Sequence, residues 1–134
     1  MTYLLRVETP SVEVYQHLRV TAGLSAKSAG AATAGLDGTW HAVVAYHADE
    51  PIGMGRVIGD GGTAFQIVDM CVVPEHQGRG VGKMIMAALM EQLLERAPGT
   101  AYISLIADGR ARHLYAQYGF AETAPESVGM ARQL

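Results

Sequence analysis

The stretch VVPEHQGRGVGK, Val72 to Lys83, sets a proline and three alternate glycines between a strand-like run and an apolar helical pattern. N–H groups in the first turn of a helix have no intrahelical partner, and the helix dipole adds partial positive charge there. Such an end attracts phosphate. Glycines at 78, 80 and 82 keep Cβ atoms out of the way. A tight strand-to-helix turn alone needs one or two glycines, so the pattern favours an anion cradle over a simple turn. Two common nucleotide loops do not fit. Met84 stands where a P-loop needs a magnesium-binding hydroxyl, and the glycine spacing is not the G-x-G-x-x-G of a dinucleotide fold, which opens on the first strand rather than after at least three.

Outward from the loop, Ala64 to Val73 reads as a long strand, apolar on both faces and therefore central in a sheet. Strict alternation puts Phe65, Ile67, Asp69, Cys71 and Val73 on one face. Pro74 ends the ladder because it lacks an N–H. On the other side Val81, Met84, Ile85, Ala88, Leu89 and Leu93 recur at helical spacing as far as Ala97, where Pro98-Gly99 stops the helix. Upstream, Tyr3 to Glu8 is strand-like and Ser11 caps a short helix ending near Gly23. Ser25 to Leu36 reads as a second helix with a thin apolar face, or as a mobile segment. Trp40 to Tyr46 and Ile52 to Ile58 form a hairpin. Downstream come a strand from Ala101 to Ile106, a helix from Arg110 to Tyr118, a C-terminal glycine at 119, and short strand fragments around Ala121 and from Gly129 to Arg132.

No linker or repeat interrupts the 134 residues, so residues 1–134 are expected to form a single domain. The formal net charge of −3 supplies no electrostatic footprint for nucleic acid or an anionic membrane. Any anionic ligand must be bound locally. Cys71 is the single cysteine, which excludes an intrachain disulfide and a cysteine-based metal cluster and fits a reducing, cytoplasmic setting. The segment MTYLLRVETP has no basic region followed by an apolar core, and no apolar run reaches membrane-spanning length. Five histidines without HxxxH or HxH spacing give no metal signal.

Two motifs together resemble those of the Gcn5-related N-acetyltransferases. Gln77-Gly78-Arg79-Gly80-Val81-Gly82 is similar to that family's Q/R-x-x-G-x-G/A signature, and Met70 to Glu75 looks like its fourth strand and exit. Asp108 to Phe120 is similar to the second motif, N-x-x-A-x-x-[LF]-Y-x-x-x-G-F, with Asp108 in place of the asparagine. The resemblance is sharp over Val68 to Phe120. It implies an α/β (α+β) fold: a mixed, mostly antiparallel central sheet splayed at strands 4 and 5 and flanked by helices. It also implies acetyl-coenzyme A as co-substrate, no metal, and direct acetyl transfer to the primary amine of a small molecule. The competing expectation is a non-catalytic acyl-coenzyme A binding or sensing module.

By that resemblance, backbone groups of Gln77, Gly78, Arg79, Gly80, Val81, Gly82 and Lys83 would hold the pyrophosphate. The strand edge at Met70, Cys71, Val72 and Val73 would bind the pantetheine arm, and an N–H near Cys71 would face the oxyanion. Arg79 and Lys83 are also placed to reach a phosphate. Tyr115 is the candidate general acid; on spacing alone it reads as a core aromatic. Asp69 is the candidate base, with a pKa raised by burial, against an ion-paired carboxylate perhaps facing Arg56, or a water chain. Asp108 keeps an acceptor toward the cofactor but loses the amide donor. Cys71 reads as a small buried hydrophobe. The acceptor side shows no acidic cluster to mark a polyamine, and a homodimer through the last strands is compatible with this reading.

Overall fold

A computed structural model describes residues 2–134. One five-stranded sheet runs in the order β1 (Leu4–Val7), β2 (Thr39–His47), β3 (Glu50–Gly59), β4 (Ala64–Val72), β5 (Tyr102–Leu105). The first four strands are antiparallel neighbours, and β5 lies parallel to β4. Helices α1 (Val12–Thr21) and α2 (Ala29–Leu36) follow β1, α3 (Val81–Arg96) connects β4 to β5, and α4 (Ala111–Ala116) follows β5. A parallel pair needs such a crossover. Ser11 and Ser28 cap α1 and α2 by accepting the N–H groups of Val14 and Ala31. The second helix therefore starts at Ala29, after an ordered connection rather than at Ser25.

The amphipathic helix α3 buries Val81, Ile85, Met86, Leu89 and Leu93 against one face of the sheet. Each contributes on the order of 1.5–3 kcal/mol of hydrophobic stabilisation. On the opposite face α1 packs Tyr15 and Leu18 against β3 and β4. Met86 is fully buried and Met84 is partly exposed, because the buried stripe is rotated by a fraction of a turn from the expected one.

Strand β4 does not alternate strictly. Its pairing with β3 shifts between Met54 opposite Cys71 and Arg56 opposite Val68, leaving Asp69 and Met70 to oppose Gly55. Asp69 takes a φ of 58°, the mark of a β-bulge. Phe65 packs on Trp40, which lies beneath Arg96 of α3. Beyond the bulge, Met70 and Val72 lie on that α3 face, beside Gly55 and Gly53, whereas Cys71 turns its Sγ toward the Leu18 carbonyl of α1. The expected face of Phe65, Ile67, Asp69, Cys71 and Val73 is thus broken in two. One extra residue reverses the side-chain phase of everything after it.

The expected strands in the tail are absent: residues 121–134 contain no strand and are exposed throughout. Their sequence, AETAPESVGMARQL, includes three alanines and a proline but no β-branched alternation strong enough to hold a ladder. β5 therefore has an unpaired outer edge.

At the β3–β4 turn, a Cβ on Gly59 would lie 2.2 Å from the Ala64 carbonyl oxygen and 2.9 Å from Phe65 Cα. Both obstacles are backbone. Gly59→Ala is expected to cost roughly 1–3 kcal/mol. In urea unfolding the midpoint should fall while the m-value holds, and an unchanged midpoint would contradict the contact.

Candidate active site

Pro74–His76 makes a single 3-10 turn, and the chain then enters α3 through Gly78 (φ 74°) and Gly80 (φ 86°), with Gly80 as N-cap. Both glycines supply left-handed backbone that a side chain would strain. Gly82 sits in the helix, where a Cβ would only touch Leu114 of α4 at 3.5 Å. No side chain caps α3 and no acidic residue occupies its first turn. Among the described residues, the N–H groups from Gly78 to Lys83 have no hydrogen-bond acceptor. Arg79 and Lys83 are exposed and unpaired beside them. Gln77 does something else: its Nε2 donates to the Val72 carbonyl at 2.9 Å, fastening the loop to the end of β4.

Strands β4 and β5 pair only from Ala64 opposite Tyr102 to Ile67 opposite Leu105. β4 continues to Val72 without that neighbour, so its far half presents an open edge. The Val73 N–H donates to the Ile52 carbonyl at 2.8 Å. Strand alternation then turns the backbone groups of Cys71 and Val73 toward β3 and those of Met70 and Val72 toward the gap. Of the four residues expected to offer backbone groups there, two do. The Val72 carbonyl is already taken by Gln77.

A cleft of about 470 Å³ follows the gap, lined by Tyr15, Arg19, Arg56, Asp69, Asp108 and Tyr115 among others. Tyr115, from α4, is 8% exposed, and its hydroxyl has no hydrogen-bond partner among the described residues. Burial, and then the nearby Asp108 carboxylate, push its pKa above the ordinary phenol value. It therefore stays protonated through the neutral range. Asp108 itself is exposed; its carbonyl accepts the Ala111 N–H at 3.1 Å as α4 begins.

Asp69 is held from three sides. Tyr15 donates its hydroxyl to Oδ1 at 3.0 Å, Arg19 reaches the same oxygen at 2.6 Å, and Arg56 Nε meets Oδ2 at 2.9 Å. The bulge re-aims this carboxylate onto the α1 face, where these partners stand. Burial, and then Asp69, push the Tyr15 phenol up as well. Arg56 also donates to the Gly35 carbonyl and Thr39 Oγ1, and Arg19 to the Ser25 carbonyl and hydroxyl. The ion-paired reading, with the Arg56 partner foreseen, describes this carboxylate. Burial pushes the Cys71 thiol up to about 12, as suits a packed hydrophobe.

Tyr15, Arg19 and Lys27, which line the cleft, belong to no motif in the sequence. Arg19 carried a signal, since an arginine at a core-facing position of an amphipathic helix demands a buried counter-charge.

The family model described as "Acetyltransferase (GNAT) domain" matches residues 38–122. The Arabidopsis thaliana chloroplastic GCN5-related N-acetyltransferase 2 is 40% identical over 77 residues, covering 58% of this chain and 29% of that protein. The rice chloroplastic serotonin N-acetyltransferase 2 is 34% identical over 84 residues, covering 63% of this chain and 41% of that one. The chain thus spans well under half the length of these curated relatives. A Staphylococcus aureus crystal structure, named a "Probable Acetyltransferase", superposes with a TM-score of 0.94 at 42% identity, covering 99% of this chain and all of that one (100%). The chain belongs to the GNAT acetyltransferase family.

Proposed function

We propose that the protein is an acetyl-coenzyme A-dependent N-acetyltransferase acting on the primary amine of a small molecule. The observation that carries this is the open β4 edge, which leads from an unpartnered N–H cradle to a buried, protonated phenol in one continuous arrangement. The cradle at Gly78 to Lys83 suits a pyrophosphate, with Arg79 and Lys83 beside it, and the Met70 and Val72 edge suits the amides of a pantetheine arm. Asp108, at the mouth of α4, offers that arm an acceptor. Bound acetyl-coenzyme A supplies an activated thioester.

The neutral amine nitrogen forms a bond to the acetyl carbon, and the C–S bond then breaks. Outward N–H groups flanking Cys71 face the developing oxyanion, already oriented when charge appears. Tyr115 gives its proton to the departing sulfur and is reprotonated, through cleft water, by the nitrogen, which is cationic after the attack. The ammonium proton leaves through water in the cleft; the three hydrogen bonds on Asp69 support that route over Asp69 as base. The name of the rice relative favours a primary amine as acceptor. A reduced, cytoplasmic setting suits the buried Cys71 thiol, and no described helix is long and apolar enough to cross a membrane.

Isothermal titration with acetyl-coenzyme A is expected to give a Kd between about 1 and 100 µM, corresponding to roughly −8 to −5.5 kcal/mol. No heat at high micromolar concentration would overturn the assignment.

A further inference from the structure

The wall of the cleft formed by α1, β3 and the α1–α2 connection carries more positive charge than it can neutralise. Arg19 and Arg56 have side chains about one-tenth exposed (10% each), and they share a single carboxylate, Asp69. Lys27 lines the same cleft, half-buried, and forms no ion pair among the described residues. Its backbone is pinned, since Gln16 Nε2 donates to the Lys27 carbonyl at 2.9 Å and Arg19 holds Ser25 two residues earlier. The ammonium is therefore presented from a fixed point rather than from a loose loop. Three cations and one carboxylate line this wall of the cleft, and Asp108 stands exposed near Tyr115 on the other.

A net positive charge withdrawn from water is costly unless an anion meets it. Beyond Asp69 the chain supplies none on that wall, whereas the coenzyme's phosphates belong at the helix end in the reading given above, on which this inference rests. We propose that the acceptor is an acidic amine, one whose anionic group, carboxylate or phosphate, docks on Lys27 and the arginine wall while its amine faces Tyr115. Lys27 is then a specificity residue, and a point charge on a flexible stem serves either anion. The volume of about 470 Å³ holds one such small molecule beside a thioester end.

The test compares matched amines by thiol release: propylamine with β-alanine, and ethanolamine with O-phosphoethanolamine. The acidic member of at least one pair should show a kcat/KM advantage of roughly tenfold or more, the value of one well-placed charge pair. Lys27→Met should remove most of that advantage through KM, with kcat little changed. A preference for β-alanine marks a carboxylate acceptor, and one for O-phosphoethanolamine a phosphate. Equal rates within both pairs, a preference for the neutral members, or a preference that Lys27→Met leaves in place overturns the proposal. Acetyl-coenzyme A binding without turnover of any of the four amines also overturns it, and leaves the donor assignment standing. Absence of acetyl-coenzyme A binding overturns the parent reading itself.

Discussion

Tyr115→Phe is expected to lower kcat by about 10²-fold or more while acetyl-coenzyme A affinity stays within roughly threefold, the behaviour of a lost general acid rather than a lost binding contact. The substitution is close to isosteric. Tyr115 is buried at 8% exposure and its hydroxyl bonds to no other residue, so phenylalanine keeps the packing and deletes only the proton donor. Thiol-release kinetics and calorimetry on the same preparation check both halves. The pH dependence has a definite sign: burial and Asp108 raise the phenol's pKa, so its protonated form persists beyond the ordinary tyrosine range. The midpoint of any loss of activity attributable to this group should lie above the ordinary tyrosine value of about 10. An unchanged kcat in the phenylalanine variant would return Tyr115 to the role of a core aromatic.

The second large effect concerns stability. Asp69→Ala leaves Arg19 and Arg56 in the wall without their carboxylate, and breaking one partner of a buried pair costs about 3–5 kcal/mol. The melting temperature should fall on the order of 10 °C or more. Removing Arg56 as well, in Asp69→Ala/Arg56→Met, should restore part of the loss, because a charge no longer remains buried without its partner. Melting curves of the wild type, both single variants and the double variant measure that coupling directly. Simple additivity would mean that Asp69 and Arg56 do not stabilise one another.

Much of the site was legible in the chain before its structure. The glycine loop announces itself because backbone demands are written as residue types: Pro74 cannot continue a ladder, and Gly78 and Gly80 take φ values that other residues adopt only with strain. The structure adds that two of the three glycines serve this turn geometry, so the loop is both a tight turn and a row of free N–H groups. The helix from Val81 was legible for a different reason, since its apolar spacing is a local property. The strand fragments expected around Ala121 and from Gly129 to Arg132 do not form, because short apolar runs carry no record of whether a partner edge lies within reach.

The order of elements, the glycine loop before α3 and the placement of Tyr115 one helix after it are all properties of neighbours along the chain. How Asp69 is used depends on the assembled fold. A bulge of one residue turns its carboxylate onto α1, and the arginines that meet it come from 50 and 13 positions away. Lys27 acquires its meaning in the same way. Its charge is unremarked in a small, alanine-rich stretch, and becomes significant only where the fold sets it on the same cleft as two arginines that already share their single counter-ion. Charge balance is summed over space, and a linear chain does not show which charges will be added together.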